Sequence, residues 1–388
     1  MSAQSRHPIP LLTPQLPERA LLQPYLDRID ASRHYSNFGP LNQALEERLT
    51  AFFAPHSAAG VQVVTTSSAT TGLELALASL ELPPGSRVLV PALTFVATLT
   101  AVLRAGLVPV VCDIDPESWL LTPEIAEAAI TSTGALAALP VAAFGQPVDT
   151  LAWSQFQQRH GVKVVVDAAG AFGSQWVAAS DIAVVFSMHA TKTLAAGEGG
   201  LVVGGNAAQL TSIRQMSNFG INLDPAAQLP VGMLTRVGSN AKLSEYHAAV
   251  AHASLDGWQA QAARRREIYA DYRQTLQSRC GDKLQWQAGE TLAAPTLFCV
   301  RLPDAERRER LEQQAGSLGV STRRWYQPLL HQHGAAVQPL VVLATPNAEK
   351  VAAGLIGLPF SCFINHTQIK YIADIVYSAV TNISNTHY

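Results

Sequence analysis

A lysine in the middle of this chain stands between an apolar run and a glycine-rich turn. Lys192 follows the apolar residues 182–186 and is followed by Gly197, Gly199 and Gly200. Most lysines lie on the surface, but the glycines indicate a tightly built turn and disfavour that interpretation here. Burial beside a sheet would lower the pKa of the amine, which makes it a better nucleophile and base. Lys192 is therefore predicted to form a Schiff base with an aldehyde cofactor.

An aspartate ends a second apolar run, upstream of the lysine. Asp167 follows residues 164–166, which are all valine. A carboxylate next to such a run must be paired or functional, although capping of the following turn is an equally good interpretation. An acid can hold a pyridine nitrogen protonated and a lysine can hold an aldehyde, so together they meet the needs of pyridoxal phosphate (PLP) chemistry. Asp167 and Lys192 are the predicted catalytic residues.

A hydroxyl-rich turn lies between a short apolar strand and a helix. Ser68, Ala69 and Thr70 follow the predicted strand 61–64 and precede the predicted helix 71–80. Small residues let backbone N–H groups approach an anion, and a helix N-terminus is positively polarised, which suits the phosphate of a cofactor. The alternative is an ordinary capped helix start, because Ser and Thr favour that position.

Four further places allow both a functional and a structural interpretation. Phe95 follows a strand-to-helix turn, so it could stack on a cofactor ring or belong to the core. Asn240 lies in a glycine-led loop and is either a turn residue or a donor that reaches a neighbouring subunit's site. Residues 323–326 could meet a phosphate or a nucleobase, or could simply end a strand. The histidines of 331–333 lack an acidic or cysteine partner at ligand spacing, so no metal site is predicted.

Strands and helices alternate through the first 200 residues, which predicts an α/β fold. We expect a large domain with a mostly parallel central sheet flanked by helices. The predicted strands are 61–64, 87–90, 108–112, 135–143 and 163–166, and the predicted helices are 41–53, 71–80, 96–105, 123–130 and 153–160.

The alternation weakens after residue 203, which predicts a second and smaller C-terminal α+β domain. A loop-rich segment spans 218–240, and a long helix is predicted from 244 to 278. The domain boundary is placed inside that helix, with a large domain of residues 1–255 and a small domain of residues 256–388. The small domain is predicted to contain strands 296–301 and 320–324 and helices 305–317 and 367–381.

The composition narrows the class of protein. The 388 residues are 48% hydrophobic and 14% charged, with a formal net charge of −2, so the chain can bury a large core and has no basic excess for nucleic acid. The four cysteines form no Cys-x-x-Cys pair, which indicates reduced thiols and a cytoplasmic protein. No apolar run reaches the roughly 20 residues of a membrane span, so no membrane partner is expected.

Several motifs, in order and spacing, resemble those of one family. They are the segments Asn37-Phe38-Gly39-Pro40-Leu41, Ser68-Ala69-Thr70, Pro91-Ala92-Leu93-Thr94-Phe95-Val96-Ala97-Thr98, Phe144-Gly145-Gln146-Pro147-Val148-Asp149 and Asp167-Ala168-Ala169, followed by Ser187-x-His189-x-x-Lys192 with Gly197-Glu198-Gly199-Gly200, and by Gly238-x-Asn240-x-Lys242-x-x-Glu245. Nearly end to end, the chain resembles the DegT/DnrJ/EryC1/StrS family of PLP-dependent nucleotide-sugar aminotransferases. The resemblance implies the aspartate aminotransferase fold with a large PLP-binding domain.

The resemblance also implies a role for each matched residue. Lys192 would hold the cofactor and move the proton, Asp167 would pair with the pyridine nitrogen, and Phe95 would stack on the ring. Other cofactor contacts are implied for Ser68, Ala69, Thr70, Gly170, Ser187 and, from the partner subunit of a homodimer with shared active sites, Asn240. Gly170 stands where the family usually has glutamine or histidine, and Phe172 where it often has histidine. Substrate contacts are implied for Phe38, Gly39, His189, Lys242, Arg324, Tyr326 and His331.

The implied reaction is a transamination between two small molecules. An amino acid, with L-glutamate expected, would give its amino group to a keto group, with C4 expected, of a nucleotide-linked 6-deoxysugar. A 3-keto sugar and a cyclitol are alternative acceptors within the same family. A non-catalytic sensor or regulator with the same fold is the alternative of a different class, although the intact lysine disfavours it.

Overall fold

A computed structural model describes residues 8–333 and 339–381 of the chain. Its main feature is an eight-stranded sheet in which five of the seven strand pairings are parallel. In spatial order the strands are β1 (Gln62–Thr66), β7 (Gly200–Gly204), β6 (Ala183–Ser187), β5 (Lys163–Asp167), β4 (Ala137–Ala138), β2 (Arg87–Pro91), β3 (Val108–Cys112) and β9 (Val341–Val342). The prediction of a mostly parallel central sheet is confirmed.

Helices cover both faces of this sheet because its strands are apolar on both sides. Residues of β5, β6 and β7 are buried throughout, apart from Lys163 at the start of β5. Such strands must be covered on both faces, as in other parallel sheets. The helices of this part are α1 (Arg19–Ser32), α2 (Pro40–Phe53), α3 (Ala69–Ala78), α4 (Val96–Arg104), α5 (Pro123–Thr133), α6 (Thr150–His160), α7 (Ala207–Ser217) and α8 (Glu245–Asp256).

The C-terminal part contains a small two-stranded sheet and its own apolar cluster. Strand β8 (Phe298–Arg301) pairs antiparallel with β10 (Leu355–Leu358). Tyr272 stacks on Phe298 with ring centroids 4.1 Å apart inside this cluster. The helices are α9 (Trp258–Cys280), α10 (Ala305–Ser317), α11 (Pro346–Gly354) and α12 (His366–Thr381).

Several predicted elements differ from the observed ones. The long helix 244–278 is broken at Gly257 into α8 and α9. The strand 135–143 shrinks to the two residues of β4 because the chain then turns, with a 3-10 turn at 143–145. Residues 320–324 make only isolated bridges, from Val320 to Ile9 and from Arg323 to Gly357. Helices α1, α7 and α11 were not predicted. Helix α1 carries Pro24 and buries only Ile29, which leaves little apolar periodicity to detect.

The proposed boundary at 255/256 stays a prediction. Two pairings cross it: β9 joins β3 of the large sheet, and Ile9 bridges to Val320. Within the described residues, no helix is both long and apolar enough to cross a membrane.

The register of the large sheet brings functional residues to one edge. Asp167 at the end of β5 pairs with Val185 of β6, two residues before Ser187. Ser187 and Thr66 each lie opposite Gly200, at the start of β7. Ligands of parallel α/β sheets bind outside the carboxyl ends of the strands, so this edge is where a site is expected.

Candidate active site

A cavity of about 380 Å³ opens at this edge of the sheet. Its lining includes ten of the predicted site residues, namely Ser68, Ala69, Thr70, Phe95, Asp167, Gly170, Ser187, His189, Lys192 and Tyr326. It also includes residues from the C-terminal part of the chain, among them Thr296, Leu297, Arg323 and Trp325. The predicted substrate or cofactor residues that do not line it are Phe38, Gly39, Asn240, Lys242, Arg324 and His331.

The Asp167 carboxylate is buried, with 5% of its surface exposed, and is held by two hydrogen bonds. The Thr98 hydroxyl donates to Oδ2 at 2.8 Å, and the backbone N–H of Ala169 donates to Oδ1 at 3.1 Å. The Thr94 hydroxyl lies 2.9 Å from that of Thr98. Burial raises the pKa of Asp167 above its usual value, while these hydrogen bonds and the nearby Lys192 act in the opposite direction. The carboxylate is oriented and kept ionisable in a site that would otherwise favour its neutral form.

A tight turn of the backbone presents Lys192 to the cavity. The N–H of Met188 donates to the carbonyl of Gly199, and the N–H of Ala190 donates to that of Gly197, each at 2.8 Å. Gly197 has a φ of +84°, which explains why a glycine is needed there. Burial lowers the pKa of the Lys192 amine, with the charge of Asp167 opposing that shift. A larger fraction of this amine is therefore free at neutral pH than in an exposed lysine.

The predicted phosphate turn is the start of α3, two residues earlier than expected. Ser68 is the N-cap, and its hydroxyl accepts from the N–H of Thr71 at 3.2 Å. Ser68 therefore caps the helix, as the structural interpretation predicts. The positively polarised N-terminus of α3 still faces the cavity. Gly200 makes this arrangement possible, because a Cβ there would lie 2.5 Å from the backbone of Ser68 and Ala69.

Aromatic rings form part of the cavity wall. Phe95 is 50% exposed and lines the cavity, so its side chain does not belong to the hydrophobic core. Its ring centroid lies 6.2 Å from that of Tyr326, which in turn stacks on Phe144 at 5.1 Å. A flat aromatic surface is thus available at the mouth of the cavity for a planar ring.

The two departures from the family motif have different surroundings. A Cβ on Gly170 would meet only the backbone nitrogen of Gly145, at 3.9 Å, so the cavity has free room beside this residue. Phe172 is buried, stacks on Phe52 with centroids 4.9 Å apart, and lies edge-on to Trp258. Phe172 therefore packs in the core behind the site rather than in the cavity.

Gly39 has a structural explanation that the sequence did not reveal. The Glu245 carboxylate accepts hydrogen bonds from the N–H groups of Leu41 and Asn42, each at 2.8 Å, and so caps the start of α2. A Cβ on Gly39 would lie 2.6 Å from the Glu245 carboxyl carbon. Phe38, next to it, packs under the guanidinium of Arg214 at 5.2 Å. Neither residue reaches the cavity of its own chain.

The loop that carries Asn240 and Lys242 also lies outside the cavity. The Lys242 amine donates to Asn240 Oδ1 at 2.7 Å and lies over the Phe219 ring at 4.6 Å. The shared active site of a homodimer remains a prediction for these two residues. Apolar side chains are exposed along the same segment, at Phe219, Leu223, Leu229, Val231, Met233, Leu234 and Val237.

Of two adjacent arginines, the structure places in the cavity the one that was not among the implied substrate contacts. Arg324 makes a two-pronged contact with Glu312 of α10, at 2.7 and 2.6 Å, and points away from the cavity. Arg323 lines the cavity instead. His331 lies beside Glu349 at 3.7 Å, outside the cavity. The alternation of an extended segment separates neighbouring side chains, and the choice between 323 and 324 could not be made without knowing its register.

The family model of the DegT/DnrJ/EryC1/StrS aminotransferase family matches residues 18–377. The chain belongs to this family. Thr98, which the sequence motif contained without an assigned role, and Arg323, which was not among the implied substrate contacts, are two of the polar residues that the sequence did not assign to the site.

Solved structures of similar fold agree with this membership. DesI, solved in the presence of its TDP-sugar product, is 31% identical, with a TM-score of 0.83 over 97% of this chain and 94% of that chain. A Bacillus cereus ATCC 10987 protein assigned as a PLP-dependent aminotransferase is 27% identical, with a TM-score of 0.86 over 95% of this chain and 100% of that one. DesV from S. venezuelae is 27% identical, with a TM-score of 0.80 and coverages of 96% and 100%.

Proposed function

We propose that this member of the family moves an amino group from an amino acid to a keto group of a nucleotide-linked sugar. Membership of the family and the DesI and DesV neighbours support a PLP-dependent sugar aminotransferase. The observation that carries the proposal is the pairing of a reactive lysine with a buried aspartate in one cavity. Lys192 and Asp167 each shift the pKa of the other, as close opposite charges do.

The cavity has the donor groups that pyridoxal phosphate requires, so the predicted cofactor is confirmed by family and site together. Lys192 would hold its aldehyde, Asp167 its ring nitrogen, and the end of α3 with Ser187 its phosphate. When bound, the cofactor supplies an aldehyde that takes up the amino group and a ring that delocalises negative charge.

The side chains of the chain then perform the proton transfer. With the cofactor bound, Lys192 Nζ would be the base that removes the α-proton of the amino donor and returns it to the cofactor's aldehyde carbon. Burial lowers the pKa of the Lys192 amine, which favours the unprotonated form that this step needs. The hydrogen bonds from Thr98 and Ala169 favour the ionised form of Asp167 against the effect of burial, and its negative charge would help to keep the ring nitrogen of the cofactor protonated.

The finer parts of the proposal rest on the motifs. We infer L-glutamate as donor, a C4 keto group of a 6-deoxysugar as acceptor, and a homodimer in which Asn240 and Lys242 reach the partner's site. The exposed apolar segment around Phe219 and Val237 supports a covered surface there. The regulator alternative is weaker, because both residues of the proposed catalytic pair are present and line the same cavity.

The proposal is tested by spectroscopy of the purified protein loaded with PLP. A yellow absorbance band should appear, bleach on addition of L-glutamate, and return when the correct keto sugar is added. A panel of 4-keto and 3-keto nucleotide sugars and cyclitol ketones would identify the acceptor. Absence of the band in the presence of excess PLP would contradict the proposal and favour the regulator alternative.

A further inference from the structure

The described lining of the cavity contains two cationic side chains, Lys192 and Arg323. In the proposed reaction Lys192 binds the cofactor and then acts as a base, so it cannot also hold a substrate anion. Arg323 has no carboxylate within ion-pair distance among residues 8–333 and 339–381, and its guanidinium donates no hydrogen bond there. A cation facing a cavity without a protein partner is available for an anionic ligand.

Arg323 is held in place by its backbone and by an aromatic ring. Its N–H donates to the carbonyl of Gly357 at 3.1 Å, and the N–H of Gly357 donates to the Arg323 carbonyl at 2.8 Å. Its guanidinium lies 4.3 Å from the ring centroid of Trp325, which also lines the cavity. Stacking leaves the edge of the planar guanidinium, with its paired donors, free for a ligand. A group fixed in this way loses little freedom when it binds.

Gly357 is the residue that permits this stacking. A Cβ at position 357 would overlap the Trp325 indole. The adjacent Arg324 is the opposite case, because its guanidinium is already occupied by Glu312 at 2.7 and 2.6 Å. The chain thus contains two neighbouring arginines, one satisfied outside the cavity and one open within it.

We propose that Arg323 binds the carboxylate of the amino donor through a two-pronged hydrogen-bonded ion pair. This inference rests on the proposed transamination and names the residue that recognises the donor. The carboxylate is favoured over the diphosphate of the acceptor because of size. At about 380 Å³ the cavity is at the small end of ligand pockets, which span roughly 300–1,000 Å³, and must also hold the cofactor. A nucleotide diphosphate would lie outside it.

The test compares Arg323→Gln with Arg324→Gln in the PLP-loaded protein. Each variant removes one positive charge from adjacent positions. Bleaching of the yellow band is followed against L-glutamate concentration, and its return is followed against the keto-sugar concentration. Arg323→Gln should weaken the apparent affinity for the donor by about 10- to 100-fold, the size expected for loss of a charge-assisted pair. Its affinity for the acceptor, and both affinities of Arg324→Gln, should stay within about twofold of wild type.

A direct binding measurement is independent of turnover. Calorimetric titration of 2-oxoglutarate into the protein carrying pyridoxamine phosphate should show the same loss for Arg323→Gln. Arg323→Lys should recover only part of the affinity, since a lysine keeps the charge but not the planar pair of donors.

Three results would overturn the inference. Unchanged donor affinity in Arg323→Gln would show that the carboxylate binds elsewhere. A loss confined to the keto-sugar step would assign Arg323 to the acceptor's diphosphate. Equal losses in both arginine variants would indicate a general effect of charge. Failure of the proposed function looks different, since wild type itself would then show no bleaching with L-glutamate, L-glutamine or L-alanine.

Discussion

The two walls of the cavity are built in different ways. The sheet wall, which contains Asp167, Ser187 and Lys192, stands on the ends of strands β5 and β6 and on the turn that follows. The C-terminal wall, residues 323–326 with their neighbours, is held by an isolated bridge to Gly357 and by ring stacking. One wall is fixed by regular structure close in sequence, the other by contacts from distant parts of the chain.

The difference suggests a division of labour. The sheet wall contains the groups that would hold the cofactor and move the proton in the proposed reaction, and such groups need the most accurate placement. The C-terminal wall presents a cation and aromatic rings, which suit recognition of the substrate. Substitutions in the sheet wall should therefore affect every substrate equally, whereas those in the C-terminal wall should discriminate between substrates.

The largest effect is expected from Lys192→Ala in the sheet wall. The variant loses both the nucleophile and the base, so turnover should fall by at least about 10,000-fold with every donor and acceptor. The yellow band should also be missing, while the circular dichroism spectrum stays unchanged because Lys192 lies in a turn outside the helices and strands. Turnover retained above a hundredth of wild type would break the assignment.

Thr98→Val should have an intermediate effect on turnover, and the effect should again be the same for every substrate. It keeps the shape of the side chain but removes the hydrogen bond to Asp167, so turnover should fall by about 10- to 100-fold. Since that bond lowers the pKa of Asp167, its loss raises the pKa. The reaction needs the ionised carboxylate, so the acid limb of the pH–rate profile should move to higher pH.

Thr98→Ser is the matched control for this prediction. It retains the hydroxyl, so its pH–rate profile should match that of wild type. Loss of the packed methyl group affects the stability of the protein and not this profile. A Thr98→Val profile that overlays the wild-type curve would show that Thr98 is only a packing residue.

The smallest effect is expected from Gly357→Ala in the C-terminal wall. The added methyl group must displace the Trp325 indole and with it the guanidinium of Arg323. The apparent affinity for the amino donor should fall by roughly fivefold, less than when the charge itself is removed, and the yellow band should be unaffected. Gly316→Ala, where a Cβ meets nothing within 4 Å, is the control. Equal losses of affinity for donor and acceptor would contradict the prediction that the C-terminal wall discriminates between substrates.

The same contrast explains what could be predicted from the sequence. Strand ends followed by small turns leave a local pattern, so Asp167, Lys192, Ser187 and the start of α3 were found where the structure has them. The structure places Arg323 rather than Arg324 in the cavity, and which of the two lies there depends on the register of a short extended segment. The sequence around residue 323 does not reveal the bridge to Gly357 that sets this register. A substrate contact of Arg324 stays a prediction.

Other features that the sequence did not reveal have equally specific causes. Helix α1 shows little periodicity because Ile29 is its one buried residue. The contact of Gly39 with Glu245 was not predicted because Glu245 lies some two hundred residues away in sequence and caps α2 from there. Contacts of this range are set by the packing of helices, which single-sequence patterns do not report. A substrate contact of Gly39 stays a prediction.

The cap formed by Glu245 has a consequence for protein engineering. The carboxylate lies only a few residues beyond Asn240 and Lys242, yet it is tied to the backbone of Leu41 and Asn42. A chimaera that imports residues 218–242 from a relative should therefore have its junction before Glu245, so that Glu245 is kept. Gly39 must be kept as well, because a side chain there would collide with the Glu245 carboxylate. Outer loops could be exchanged between family members if this glycine and this glutamate are always taken from the same parent protein.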